Sequence, residues 1–153
     1  MIEKHFTATG AVLNGRGQVL MIRHKKLGVW LFPGGHVEEN ETPDDAVLRE
    51  ILEETGIRAE ILPNGEEHEL DDPAAMSLHS PRYTLLEDIG GRGEHFHIDL
   101  VYFCRPVSGH EEQNLEETTG IGWFGAEEIR RMDTYQNVRH IALRALEMES
   151  GLL

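Results

Sequence analysis

Cysteine is almost missing: Cys104 stands alone in 153 residues, so no disulfide can close within the chain and a reducing compartment is expected. Redox chemistry is not indicated. Basic residues are also scarce, 14 Lys and Arg against 28 Asp and Glu, for a formal net charge of −14. Duplex nucleic acid is held by a basic surface that meets its phosphates, so that class of partner is excluded. An anionic substrate would need local help. No apolar run approaches membrane-spanning length, and Met1 to Phe6 has no basic segment leading into an apolar one, so a cytoplasmic protein without a membrane partner is expected. Repeats, low-complexity tracts and linkers are missing too. With 39% apolar and 27% charged residues, close to globular usage, one domain over residues 1–153 remains. A homodimer is compatible with this, closed dimers being the commonest soluble oligomers.

The segments that are present carry clear punctuation. Thr7 to Leu13 and Gln18 to Arg23 are β-tolerant runs around Asn14-Gly15, which predicts a hairpin. Trp30-Leu31-Phe32 reads as a short strand entering a tight loop at Pro33-Gly34-Gly35. Thr42-Pro43-Asp44-Asp45 has the signature of a helix start and Gly56 that of its stop. On that helix Leu48, Ile51, Leu52 and Thr55 form the expected packing face, with Glu50, Glu53 and Glu54 opposite. Ile57 to Leu62 is a strand, and 63–80 is a polar loop without period, placed by expectation at the mouth of a site. Tyr83 to Glu87 and Glu94 to Cys104 flank a glycine-rich tip as a second hairpin. A strand at Ile121 to Phe124, a helical turn at Ala126 to Arg131 and an amphipathic helix marked by Ile141, Leu143, Ala145 and Leu146 complete the chain.

Chemistry concentrates on the first helix. Positions i, i+3 and i+4 share a helix face, so Glu50, Glu53 and Glu54 cluster, and crowded like charges are unfavourable unless a cation neutralises them. Carboxylate oxygens suit Mg²⁺ or Mn²⁺, which also accept phosphate oxygens and water. Arg49, four residues before Glu53, can brace it. Gly34 and Gly35 let the backbone fold close to these carboxylates. Arg23, Lys25 and Lys26 form the densest basic patch and either offset outer phosphate charge or serve as ordinary surface. His95, His97 and Asp99 alternate along one strand face, a spacing that offers ligands to zinc, although four are not evident and a partly wet face is the simpler account. Contact with substrate is another role open to them. Cys104 falls on the core side of the same strand.

From Gly35, a glutamate follows after five residues (Glu41), and after seven more come Arg49-Glu50-Ile51-Leu52-Glu53-Glu54-Thr55-Gly56-Ile57. This resembles the Nudix box at every fixed position. At about one in fifteen for each of seven specified residues, chance agreement at a given start is on the order of 10⁻⁸. The resemblance implies an α/β (α+β) fold, a mixed β-sheet sandwiched between helices with the box as loop-helix-loop. It implies hydrolysis of a diphosphate linkage in a nucleoside diphosphate derivative. It also assigns roles: Glu50, Glu53, Glu54 and the Gly34 carbonyl as metal ligands, Glu50 as a base for the attacking water, Glu41 as a support beside Gly35. Which carboxylate is the base differs among members. A further ligand is implied outside the box, for which Glu117, six residues before Trp123, leads Glu116 and Glu112; the other reading of Glu117 is an exposed loop residue.

The box leaves the leaving group open. Asn137 stands where oxidised-purine-cleaning members carry a base-reading asparagine, and its structural alternative is a helix N-cap, which the residue type favours. A nucleoside triphosphate is therefore the first expectation. ADP-ribose comes second, on Pro73, sixteen residues beyond the box, because the residues around it do not match the ADP-ribose signature. Diadenosine polyphosphates come third. A nucleotide-sensing module without catalysis is the reading from another class, and the intact glutamates count against it.

Overall fold

The computed structural model describes residues 1–65, 67, 70 and 72–151. In chain order the elements are β1 (Glu3–Val12), β2 (Val19–His24), β3 (Trp30–Leu31), β4 (Gly34–His36), α1 (Pro43–Thr55), β5 (Arg58–Ile61), β6 (Tyr83–Asp88), β7 (His95–Ser108), β8 (Thr118–Phe124), α2 (Ala126–Arg131) and α3 (Gln136–Glu149).

The first two strands do not form the expected hairpin. β1 runs parallel to β7 from Glu3–His95 to Val12–Cys104 and antiparallel to β4, whereas β2 belongs to a separate sheet in the order β3-β2-β8. The connection between them is held by the Leu13–Val19 bridge and by the Asn14 amide donating to the Gln18 carbonyl at 3.2 Å. The reason is burial: Ala8, Ala11 and Val12 are inaccessible from either face, so β1 takes a central place between two other strands rather than a turn-linked neighbour. The larger sheet has the order β4-β1-β7-β5, with β6 also paired to β7. It is mixed, as the resemblance implies. The second expected hairpin does form, Tyr83 to Asp88 lying opposite Val101 to Phe96.

Two apolar clusters flank this sheet. Ala8, Val12, Tyr102 and Cys104 meet Val47 and Ile51 of α1 on one side, and Ala11, Val101 and Phe103 meet Ile141, Ala142 and Ala145 of α3 on the other. Leu143, expected inward, is only partly covered. β8 begins at Thr118, earlier than its apolar run indicates, because pairing with β2 extends through Gly120.

α1 follows its local signals. Thr42 caps it by accepting from the Asp45 amide at 3.1 Å, Pro43 occupies the first turn, and Gly56 closes it in the left-handed region at φ 76°. Its packing face differs from expectation: Ala46, Val47, Ile51, Glu54 and Thr55 are buried, while Leu48 and Leu52 are not. The helix is rolled because Gly10 lets it sit close on β1; a Cβ there would lie 2.7 Å from Ile51 Cδ1. Glu54 is thereby turned inward.

Gly34 and Gly35, expected in a loop, are strand residues paired with Thr9 and Ala8. After β5, the His79 amide donates to Asp44 of α1 at 2.9 Å and Glu67 accepts from the Ser80 amide, which ties the described residues of 63–80 to the first turn of α1. None of those described residues lines the cavity between β6 and α3. Among the described residues no helix is long and apolar enough to cross a membrane.

Ile51 is fully buried between α1 and β1. Ile51→Ala is expected to lower unfolding free energy by about 2–5 kcal/mol, since the strand beneath cannot collapse into the gap. Urea denaturation of the metal-free protein measures it, and a loss under about 1 kcal/mol would contradict this packing.

Candidate active site

Glycine makes the site possible for reasons of space. Neither Gly34 nor Gly35 has a positive φ, but a Cβ on Gly35 would lie 2.5 Å from Glu50 Oε1, and one on Gly34 would lie 2.7 Å from the Ala8 carbonyl oxygen. Only bare backbone fits between β1 and the carboxylates. The Gly34 amide donates to Glu54 Oε1 at 2.9 Å, tying the helix to the strand.

Arg49 organises the rest. Its Nε and Nη2 donate to the two oxygens of Glu41 at 2.7 and 3.0 Å, a bidentate pair. Nη1 reaches Glu50 Oε1 at 2.9 Å and Glu53 Oε2 at 3.2 Å, and Nη2 also donates to the His36 carbonyl at 3.1 Å. The bond from Arg49 holds Glu41 below the ordinary carboxylate range, and the Glu41 and Glu50 carboxylates hold the guanidinium well above its ordinary value. One cation thus restrains three anions.

Glu54 lies beyond its reach. Burial pushes its pKa up to about 8, the charges of Glu50 and Glu117 add to the rise, and the Gly34 amide opposes it. Without a metal it holds a proton at neutral pH. Glu117, in the turn before β8, is exposed yet near enough to act on Glu54, while its own carbonyl accepts from the Lys25 amide at 2.9 Å. The Glu112 amide donates to the Thr55 carbonyl at the end of α1. The groups near Glu54 that act on it are carboxylates, Glu50 and Glu117, and Glu53 is joined to Glu50 through Arg49, so the donors on offer are oxygen. That set, crowded and under-neutralised, fits a hard divalent ion.

Gly34 and Gly35 also border a cavity of about 750 Å³. Phe32 and Leu31 form one wall, Asn137, Val138 and Ile141 of α3 another, and residues 85–90 of β6 and its tip a third. Its floor is polar. The hydroxyls of Thr7 and Thr9 donate to Asp99 Oδ1 at 3.0 and 2.8 Å. Asp99 is only 6% exposed, whereas His95 and His97 on the same face are partly exposed, so the strand face is partly wet, at the end away from Asp99. Burial raises the pKa of Asp99, and burial followed by the charge of Asp99 pushes Glu87 up to about 7. Nothing in the strand pattern marks Glu87, Thr7 or Thr9 as functional beyond their being polar at inward positions.

Other expected positions divide. Asn137 is the second residue of α3 and lines the cavity; the cap is Tyr135, so the N-cap reading is corrected. Arg23 and Lys25 do not line the cavity and are exposed, Arg23 donating to the Gly28 carbonyl at 3.1 Å. Their neighbours His24 and Leu27 line it instead.

The NUDIX domain family model matches residues 3–145. A MutT-like protein of Streptomyces ambofaciens is 31% identical over 147 residues, 95% of this chain and 77% of that protein. An RNA pyrophosphohydrolase of Erythrobacter litoralis (strain HTCC2594) is 35% identical over 123 residues, covering 72% and 68%. A shorter match, 46% over 48 residues, links the chain to a putative 8-oxo-dGTP diphosphatase of Bacillus subtilis (strain 168), spanning 31% of this chain and 32% of that relative. Among solved structures, a NUDIX-family hydrolase from Clostridium perfringens superposes with a TM-score of 0.80 at 27% identity, covering 96% of this chain and 99% of that one.

A carboxyl with a raised folded pKa binds its proton more tightly folded than unfolded. Its contribution is fully present below about pH 4.5 and is lost as pH rises through about 8. The metal-free protein is therefore expected to lose melting temperature across that window relative to Glu54→Gln, and Mg²⁺ should recover the loss in the parent alone. Parallel melting curves for the two proteins would contradict the assignment.

Proposed function

The chain belongs to the Nudix hydrolase family, and on that premise we propose that it hydrolyses nucleoside triphosphates to the monophosphate and diphosphate with Mg²⁺ or Mn²⁺. One observation carries the reading: a cavity large enough for a nucleoside borders the glycine pair against which Glu50 and the protonated Glu54 pack.

The polyphosphate supplies several negative charges to a protein of net charge −14, and no Lys or Arg is among the described residues lining the cavity. Neutralisation must come from cations held by the carboxylates. Glu50, Glu53, Glu54, Glu117 and the Gly34 carbonyl would hold the metal, which supplies Lewis acidity toward phosphate oxygens and acidifies a bound water. Arg49 keeps Glu50 and Glu53 aimed while Glu41 fixes Arg49 in turn. Glu50 accepts a proton from the attacking water. The water oxygen bonds to one phosphorus, the bridging P–O bond breaks, and the departing phosphate leaves with the bridging electron pair. Asn137, with both donor and acceptor, and the Asp99–Glu87 pair face the space left for the base.

The relatives support this choice without fixing it, since the names they carry include both an oxidised deoxynucleoside triphosphate and RNA as substrates. An ADP-ribose reading loses its motivation because the described residues of 63–80, Pro73 included, do not border the cavity. Cys104, a free buried thiol that burial pushes up to about 12, is consistent with a cytoplasmic enzyme.

A panel of nucleoside triphosphates, ADP-ribose, diadenosine polyphosphates, nucleotide sugars and 5′-triphosphorylated RNA, each with Mg²⁺ or Mn²⁺, tests the assignment. Triphosphates are expected to turn over fastest, and Glu50→Gln or Glu53→Gln should lower kcat by about 10²–10⁴-fold. Tight binding without cleavage of any compound would replace the enzyme by a sensor. Asn137→Ala is expected to raise KM for the preferred purine triphosphate by about tenfold with kcat held, the loss of one buried hydrogen bond. An unchanged KM would remove Asn137 from the site.

A further inference from the structure

Four imidazoles meet at the end of the sheet face that carries Asp99. His5 of β1, His95 and His97 of β7 and His36 of β4 form a closed ring of edge contacts. Centroids are 5.1 Å apart for His5–His95, 5.2 Å for His95–His97, 5.0 Å for His97–His36 and 5.5 Å for His36–His5. Strand register explains the gathering: parallel pairing sets Glu3 beside His95 and His5 beside His97, and alternate residues share a face. Glu3 adds a carboxylate oxygen 3.4 Å from His5 Nε2.

Hydrogen bonding does not account for this cluster. The Nε2 atoms of His95 and His97 are shielded from solvent with no hydrogen-bond partner among the described residues, which native structures rarely tolerate.

We propose that Glu3, His5 and His95 form a site for Zn²⁺, separate from the carboxylate cluster. One ligand atom from each lies within 4.8 Å of the other two. Zinc bonds of about 2.0–2.2 Å at tetrahedral angles put ligand atoms about 3.3 Å apart, so the Glu3–His5 pair already has the required spacing. Three protein ligands leave the fourth position open, and the rings of His97 and His36 stand against this set. Ligand chemistry separates the two sites. Imidazole favours Zn²⁺, whereas an all-oxygen cluster favours Mg²⁺ or Mn²⁺.

The experiment is a titration of Zn²⁺ into the full chain against a chromophoric chelator, with Mg²⁺ in large excess. One Zn²⁺ per chain is expected, with affinity reduced about 100-fold or more in His5→Gln and in His95→Gln and unchanged in Glu54→Gln. His5 is partly exposed, so His5→Gln is expected to keep the parent circular dichroism spectrum while losing the rise in melting temperature that Zn²⁺ gives the parent. Failure of stoichiometric uptake, parent-like affinity in His5→Gln, or loss of binding in Glu54→Gln, which would put the zinc in the carboxylates, each overturns the proposal.

Discussion

Carboxylates are packed together here more densely than the protein alone can neutralise. Two such charges about 4 Å apart repel by about 4 kcal/mol at an effective dielectric of 20, several times the most that intrinsic helix preference contributes per ordinary residue. The helix therefore does not tolerate this crowding by itself. Arg49 meets part of the demand through Glu41, Glu50 and Glu53, and Glu54 meets the rest by keeping a proton. Tertiary packing imposes the arrangement, since Gly10 brings α1 onto β1 and the glycines of β4 leave room beside the acids. Affinity for a divalent ion is the corollary: a cation releases the proton on Glu54 and relieves the repulsion together.

Features set by local chemistry are legible in the sequence. Thr42, Pro43 and Gly56 delimit α1 because caps act within one turn, and the glycine-rich tip between β6 and β7 marks a hairpin because its partners are close in sequence. The spacing from Gly35 to Ile57 identified the reaction class for the same reason. Partner choice for β1 was not legible, since Asn14-Gly15 fits a hairpin equally well and the decision rests on a strand about ninety residues away. The inward roll of Glu54 was hidden likewise: a helical wheel orders residues around an axis but does not say which arc faces the sheet, and Gly10 settles that. Asn137 reads as a cap by residue type, yet the cap lies two residues earlier, at Tyr135, and its helix begins at Gln136.

The sheet divides labour between its faces. One supports α1 through Ala8, Val12 and Tyr102, and the other presents Thr7, Thr9, Asp99 and Glu87 to the cavity before reaching α3. The two meet at β4, whose glycines give both sides access to a single edge. A net charge of −14 would slow the approach of a free polyphosphate, so the metal complex, with part of its charge already cancelled, is the better-matched form of substrate.

The parallel pairing of β1 with β7 also governs how the molecule comes into being. During synthesis β1 has the short antiparallel pairing with β4 on one edge, but its other edge stays open until His95 to Cys104 have been made, by which time α1 has long since emerged. Such long-range closure is slow and leaves apolar edges uncovered in the meantime. Nascent chains of this protein should therefore depend on chaperone protection late into translation, and a truncated product lacking β7 should be handled by the cell as debris.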